Sequence, residues 1–354
     1  MKKVWKIVVA VLIAVFCLVV SYVLYVLMNT DRIADSLELE VRSGGQTQLE
    51  LGTVCTAVTY NLGFGAYLPD YSFFMDGGTE SRCASAESAA DTIRDAAALA
   101  LEQQPQLVLL QEVDTYATRS WHVDQLALVD EAFSGYDRVF ACNYHSAYLF
   151  YPFHQPIGAS NSGIVTLSGF PVKSALRRSL PVENGLGQLL DLDRCYSISR
   201  IPISDGRELA VFNVHLSAYS NDEAVLEGQI RMLMGDLEKE VRAGNPVLCG
   251  GDFNHDLRKT DDSGEAYSWT HYFPRESLPE GVHFAYDLLS PEEQATQADS
   301  CRAASEAYDP ETAFTVLLDG FLLSDDLELL EYETVFTGYR FSDHDPVRLT
   351  FRLR

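Results

Sequence analysis

The sequence predicts a layered α/β (α+β) domain behind an N-terminal membrane-spanning helix. Three observations carry that prediction. Short apolar runs of strand length recur along the chain and alternate with a few helical stretches, the interleaving that puts helices on sheets. Five of these runs end at, or pass through, a residue from one small chemical set: Asn61, Glu112, His215, Asp252 and Asp319. Strand ends are where open sheets place their chemistry. The third observation is the uncharged apolar run 7–28 that follows MKKVWK.

That run is long enough to span a bilayer, which takes about 20 residues. Lys2, Lys3 and Lys6 precede it and Asp31 follows it. This asymmetry places the N-terminus in the cytoplasm and the bulk outside, as a single-pass protein of the cell membrane. A cleaved signal peptide is the competing reading. The run is long for a signal core and no small-residue cleavage site follows it cleanly, so an uncleaved anchor is preferred. The expected organisation is therefore an anchor over 1–30, a polar spacer over 31–52 containing Ser43-Gly44-Gly45-Gln46, and one domain over 53–354.

The domain begins with a strand, TVCTAVTYN (53–61), which runs into Asn61-Leu62-Gly63-Phe64-Gly65 and a glycine-rich aromatic loop. Alanines with Ile93 and Leu99 at helical spacing predict an amphipathic helix over 85–104. Pro105 stops it. QLVLLQE (106–112) reads as a buried strand ending in Glu112, followed by a helix over 119–133, a strand over 136–142 and an aromatic loop to 156. Strands follow at 162–172, 195–203 and 208–216, the last reaching His215. A helix over 223–242 is closed by Gly244 and Pro246. Val247-Leu248-Cys249 is a strand that breaks at Gly250-Gly251; a polar, loop-rich stretch then runs to Pro310. The strands 315–323, 327–336 and 345–353 complete the chain.

The 354 residues are 47% hydrophobic and 22% charged, an ordinary globular composition with enough apolar material for a large core. The charge balance is not ordinary. Lys+Arg total 26 against Asp+Glu 51, a formal net charge of −25. Such a surface repels polyphosphate at long range, and no Lys/Arg-rich run offers a local grip, so nucleic acid is the less favoured partner. Seven cysteines show no CxxC or Cys/His spacing, which argues against zinc. Cys55 and Cys249 fall in strand-like runs and read as packed thiols; Cys83, Cys142, Cys195 and Cys301 leave room for one or two disulfides.

The stretch with most chemical content is GGDFN (250–254). At strand spacing, Asp252 and Asn254 point to the same side. A carboxylate that can accept a proton then stands beside a carboxamide that can grip an anionic oxygen. Gly, Asp and Asn are also ordinary turn formers, so this stretch alone reads either way.

The full set of motifs resolves more. TYN (59–61), QE (111–112), VHL (214–216), GDFN (251–254), LDGF (318–321) and SDHDP (342–346) occur in that order. Together with NSGIVTLSGFPV (161–172), they resemble the endonuclease/exonuclease/phosphatase superfamily, the DNase I-like fold, over 53–354. The resemblance implies a four-layered αββα sandwich with its site at one end, hydrolysing a phosphate ester with Mg²⁺ or a similar cation such as Mn²⁺ or Ca²⁺. It implies that Glu112, Asn61 and Asp343 bind the metal and that Asp252 activates the attacking water. Asn254 would bind a phosphate oxygen or orient that water. His215 and His344 would donate to the phosphoryl group or shuttle a proton, with Asp319 orienting one imidazole, His344 by preference. Which histidine is acid and which is base stays open.

Hard cations do prefer such oxygen ligands. The superfamily divides among nucleases, lipid phosphodiesterases and phosphatases, and fold does not choose between them. Charge and anchor favour a phospholipid, as in a sphingomyelinase-like enzyme, or a small phosphoester. An extracellular nuclease is the first alternative and a non-catalytic binding domain the second. Gly320, where relatives carry a larger residue, implies extra space beside the site. The aromatics of 62–78 and 143–156 would face a bilayer, a substrate or the core.

Overall fold

The computed structural model describes residues 2–29, 32–45, 47–183, 192–218, 222–258 and 271–354. The anchor boundary at Asp31, Gln46 of the expected spacer and residues 259–270 of the expected loop-rich stretch lie outside the described residues.

In chain order the first elements are α1 (Lys2–Met28), β1 (Leu37–Leu39), β2 (Val41–Arg42), β3 (Val54–Asn61) and α2 (Ala86–Glu102). They are followed by β4 (Leu107–Asp114), α3 (Gln125–Ala132), β5 (Asp137–Leu149), β6 (Gly158–Ser168) and β7 (Ser174–Ser179). The second half holds β8 (Cys195–Pro202), β9 (Glu208–His215), α4 (Glu223–Arg242) and β10 (Val247–Asp252). Then come three short strands, β11 (His255–Asp256), β12 (His271–Tyr272) and β13 (Val282–Phe284), and the short helix α5 (Pro291–Thr296). The last are β14 (Cys301–Arg302), β15 (Thr315–Val316), β16 (Asp319–Ser324), β17 (Leu327–Thr334) and β18 (Val347–Leu353).

Two seven-stranded sheets form the centre, in the orders β1-β7-β8-β9-β10-β16-β13 and β17-β18-β3-β4-β6-β5-β2. Each contains a parallel pair, β9 with β10 and β3 with β4. A parallel pair needs a crossover, and the helices α4 and α2 supply it. Side-chain alternation then builds the layers. Cys55 and Ala57 of β3 and Leu107 and Leu109 of β4 point into the core shared with the other sheet. Val58, Tyr60, Val108 and Leu110 point outward, under Ile93, Ala96, Ala97 and Ala100 of α2. Strands covered on both faces read as continuous apolar runs, which is why 54–60 and 107–110 lack polar alternation. On the far side Ile230, Leu233, Met234 and Leu237 of α4 close the fourth layer. The αββα sandwich expected from the resemblance is present.

Helix ends follow local rules. The Ser85 side chain accepts from the Ser88 amide to cap α2, and Asp222 caps α4. The helix expected over 119–133 starts only at Gln125, where Asp124 accepts from the Ala127 amide.

Four expectations are corrected. The stretch 31–52 is more than a spacer: β1 pairs with β7, β2 pairs with β5, and Leu49 is fully buried. β5 runs on through Leu149, so half of the supposed aromatic loop is strand. β10 does not break at its glycines. A Cβ at Gly250 would stand 2.5 Å from the Phe321 ring, and at Gly251, where φ is +146°, 2.1 Å from the Val214 carbonyl. The glycines are there so that neighbouring strands and the opposite sheet can approach this closely. Gly320 opens no space either, because Leu257 and the Tyr332 hydroxyl would lie 2.9 and 3.2 Å from an added Cβ. Among the described residues all seven cysteines are free thiols, Cys83, Cys142, Cys195 and Cys301 included.

α1 is the one helix among the described residues long and apolar enough to cross a membrane.

Candidate active site

Both parallel pairs end at the same edge of the sandwich. Asn61 closes β3, His215 closes β9 and Asp252 closes β10. β16 runs the other way, so Asp319 stands at its start rather than its end, and the register sets His215, Asp252 and Asp319 side by side across three strands. The segment before β18 returns to the same edge because Val347 pairs with Thr59. This brings Asp343 and His344 over Asn61, where the Ser342 hydroxyl donates to the Asn61 carbonyl at 2.8 Å.

Glu112 reaches the edge differently. β4 does not stop there but continues to Asp114, with a bulge between Leu110 and Val113. Glu112 sits in that bulge at φ +56°, a conformation that non-glycine residues hold only under constraint. The bulge turns its carboxylate toward Asn61, whose Nδ2 lies 3.5 Å from Oε1. Arg119 stands behind it, 3.6 Å from Oε2, held by a two-pronged contact to buried Asp114 and lying 3.9 Å over the Phe64 ring.

The cleft so formed has a volume of about 320 Å³ and is lined by Asn61, Glu112, His215, Asp252, Asn254, Asp343 and His344. Asp319 lies behind His344, with Oδ2 2.6 Å from Nδ1 and accepting from the Ser300 hydroxyl at 2.7 Å. Asp252 is the hub. Its Oδ2 accepts from Asn61 Nδ2 at 3.0 Å and lies 3.7 and 3.8 Å from Nε2 of His215 and His344; its Oδ1 accepts from the Asn254 amide at 2.9 Å. Asn254 adopts φ +48° and spends one amide proton on the Leu216 carbonyl at 2.8 Å.

Burial separates the protonation states of these groups. Loss of water pushes Asp252 up to about 7, with the Asp319 charge adding to the shift and His344 opposing it. Burial also pushes His215 well below its ordinary range, helped by the positive charges of Arg194 and His344. For His344 burial acts in the same direction, but the carboxylates of Asp319 and Asp252 outweigh it and hold its proton well above the usual range. A neutral imidazole and a charged one therefore flank the same carboxylate.

Glu112 and Asp343, which line the same cleft, offer donors that fit a hard cation. Asp343 is pushed up to about 6 by burial, with the negative charges of Glu112 and Asp76 adding to the effect. Crowded carboxylates of this kind suit a divalent ion with oxygen preference. Asn61 fits less simply. Its NH₂ faces the two carboxylates and its Oδ1 accepts from the Gly63 amide at 3.0 Å, which leaves one lone pair of that oxygen for a cation.

Arg194, Arg302 and Asp76 also line the cleft and carry no motif. Arg194 had one available signal. Extending the register in which Tyr196 pairs with Val214 places it across from the residue after His215. Arg302 spends its guanidinium on the Leu68, Ala303 and Glu306 carbonyls at 3.0, 3.1 and 3.3 Å, a set of contacts that no local pattern encodes.

The Endonuclease/Exonuclease/phosphatase family profile matches residues 58–344. The chain belongs to the endonuclease/exonuclease/phosphatase family. Solved structures share its fold at low identity. An endonuclease/exonuclease/phosphatase from Beutenbergia cavernae DSM 12333 is 17% identical, with a TM-score of 0.58 over 85% of this chain and 72% of that one. The human Nocturnin catalytic domain with bound sulfate is 17% identical, with a TM-score of 0.52 over 89% and 97%. TDP2 from C. elegans is 15% identical, with a TM-score of 0.53 over 85% and 76%. No curated protein matches the chain in sequence. The family is one of metal-dependent phosphoesterases and nucleases.

Proposed function

We propose that this protein is a membrane-anchored, outward-facing phosphoesterase that uses a divalent cation to hydrolyse a phospholipid or a small phosphoester. The observation that carries the reading is the environment of Asp252: a buried carboxylate held by two amides, with one neutral and one charged imidazole each within 4 Å of Oδ2.

Glu112 and Asp343 would hold the cation, Mg²⁺ or a similar ion such as Mn²⁺ or Ca²⁺, which when bound polarises phosphoryl oxygens and offsets their charge. Asp252, pushed up to about 7, is a base matched to neutral pH and takes the proton of the attacking water. Asn61 and Asn254 fix its orientation by occupying one oxygen each. His344 keeps a proton because Asp319 faces its other nitrogen, so it is the group equipped to donate to the phosphoryl or leaving oxygen. His215, kept neutral by burial and by Arg194, serves as a hydrogen-bonding partner without adding charge. Arg194 and Arg302 are the arginines of the cleft wall, the second with its guanidinium engaged by backbone carbonyls, and two such groups make no track for a polynucleotide.

The test is turnover by the full chain in detergent, with Mg²⁺ and with EDTA, on sphingomyelin and glycerophospholipid, plasmid DNA, RNA and soluble phosphomono- and diesters. EDTA-sensitive ester release without DNA nicking is expected. Nicked plasmid would make the protein a surface nuclease, and no metal-dependent turnover of any ester would refute the catalytic reading.

A further inference from the structure

Three of the domain's exposed aromatic side chains fall together within four residues. Phe150, Tyr151 and Phe153, in the turn after β5, are 50%, 63% and 84% exposed. The stretch YLFYPF (148–153) carries no charged residue. Large exposed patches of this kind mark a surface that meets something apolar.

Contacts on its two sides show where the patch leads. On one side Tyr151 packs edge-on against Phe74 at 5.8 Å, and the next residue, Met75, is half exposed and lines the catalytic cleft. On the other side the patch is fastened to α1. The Phe150 ring lies 5.3 Å from that of Tyr22; the Tyr22 hydroxyl donates to the Tyr148 carbonyl at 3.2 Å, and the Tyr25 hydroxyl accepts from the Tyr148 amide at 3.3 Å. An apolar surface thus continues from α1 across 150–153 to the rim of the cleft.

Helix geometry sets the level of that surface. Trp5 stands near one end of α1, and Tyr22 and Tyr25 near the other. At about 1.5 Å per residue the two ends are roughly 26–30 Å apart, close to the hydrocarbon thickness of a bilayer at about 30 Å. Aromatic residues favour the headgroup level at both faces. Tyr22 and Tyr25 therefore mark one interface, and Phe150, pinned to them, shares it.

We propose that Phe150, Tyr151 and Phe153, continued by Phe74 and Met75, form a wedge that enters the membrane interface beside α1 and seats the cleft against it. The phosphoester hydrolysed is then that of a lipid in the same membrane. The uncharged wedge and the acidic domain fit a zwitterionic surface and not an anionic one. This rests on the readings that α1 spans the membrane and that the cleft is catalytic.

The experiment uses the full chain in phosphatidylcholine–sphingomyelin proteoliposomes. Hydroxyl-radical footprinting compares Phe153 with Phe336, which is 56% exposed and stands just after β17. Seated in lipid, Phe153 is modified at least about five-fold more slowly than Phe336; modification as fast as or faster than Phe336 overturns the wedge. The variant F150S/Y151S/F153S is then expected to keep turnover of a soluble aryl phosphodiester within about two-fold and to lose about ten-fold or more on the vesicle lipids. Equal loss on both substrates overturns the proposal, as does soluble-ester turnover by the native protein with neither lipid cleaved. A native protein that cleaves no ester refutes the catalytic reading instead, and the footprint still decides the wedge.

Discussion

Asp252→Asn separates activity from stability in a way that follows from burial. Asp252 is 1% exposed and its carboxyl is pushed from 3.8 up to about 7. Between those values the unfolded chain releases the proton and the folded one keeps it, so native stability falls as pH rises from about 4 to 7 and then levels off. A shift of roughly three units at about 1.4 kcal/mol each corresponds to about 4 kcal/mol at pH 7, as an upper figure. Asparagine keeps the shape and carries no charge to desolvate, but its NH₂ meets either the Asn61 NH₂ or the Asn254 N–H, both donors, which gives back about 1–3 kcal/mol of the gain. The variant should therefore be inactive and more stable. The assay is thermal unfolding of the full chain in detergent with EDTA, at pH 4.5 and pH 7.5, alongside metal-dependent ester turnover. At pH 7.5 the variant should melt about 2–6 °C above the native protein, the gap should shrink at pH 4.5, and turnover should fall at least about 10³-fold. Equal melting at both pH values would refute the burial argument. Retained turnover would refute the base assignment.

Asp319→Asn removes the charge that keeps His344 protonated, so turnover should fall about 10²–10⁴-fold and the His344 imidazole, followed by NMR, should titrate at lower pH than in the native protein. Arg194→Gln removes a cation of the cleft wall: KM for a phosphoester should rise about ten-fold, and the His215 titration should move up because the Arg194 charge lowers it. Beneath the site, Gln111 donates to Asn213 Oδ1 at 2.8 Å and Asn213 donates to the Val165 carbonyl at 2.9 Å, bridging the two sheets. Asn213→Leu strands these buried groups and should cost about 2–4 kcal/mol in denaturant unfolding; a change under about 0.5 kcal/mol would show that the bridge is not needed.

Sequence by itself determined the layered class, the long apolar helix and the strand-end positions of Asn61, His215 and Asp252. Period-2 burial and short apolar runs are local signals, and ordered motifs add the rest of the catalytic set. It also placed Asp343 and His344 just before the last strand. Several things lay beyond its reach. That Glu112 reaches the cleft through a bulge, that Asp319 begins a strand antiparallel to β10, and that 37–42 supplies edge strands to both sheets are consequences of pairing between distant segments. Local pattern does not encode partner or register. Arg302 and Asp76 carry no motif that marks them as cleft residues, and Arg194 is placed only once β8 and β9 are paired in register. The separation of one neutral and one charged histidine was decided only by the tertiary structure. Both have the same intrinsic chemistry, and what differs is which charges the fold sets against each once water is excluded.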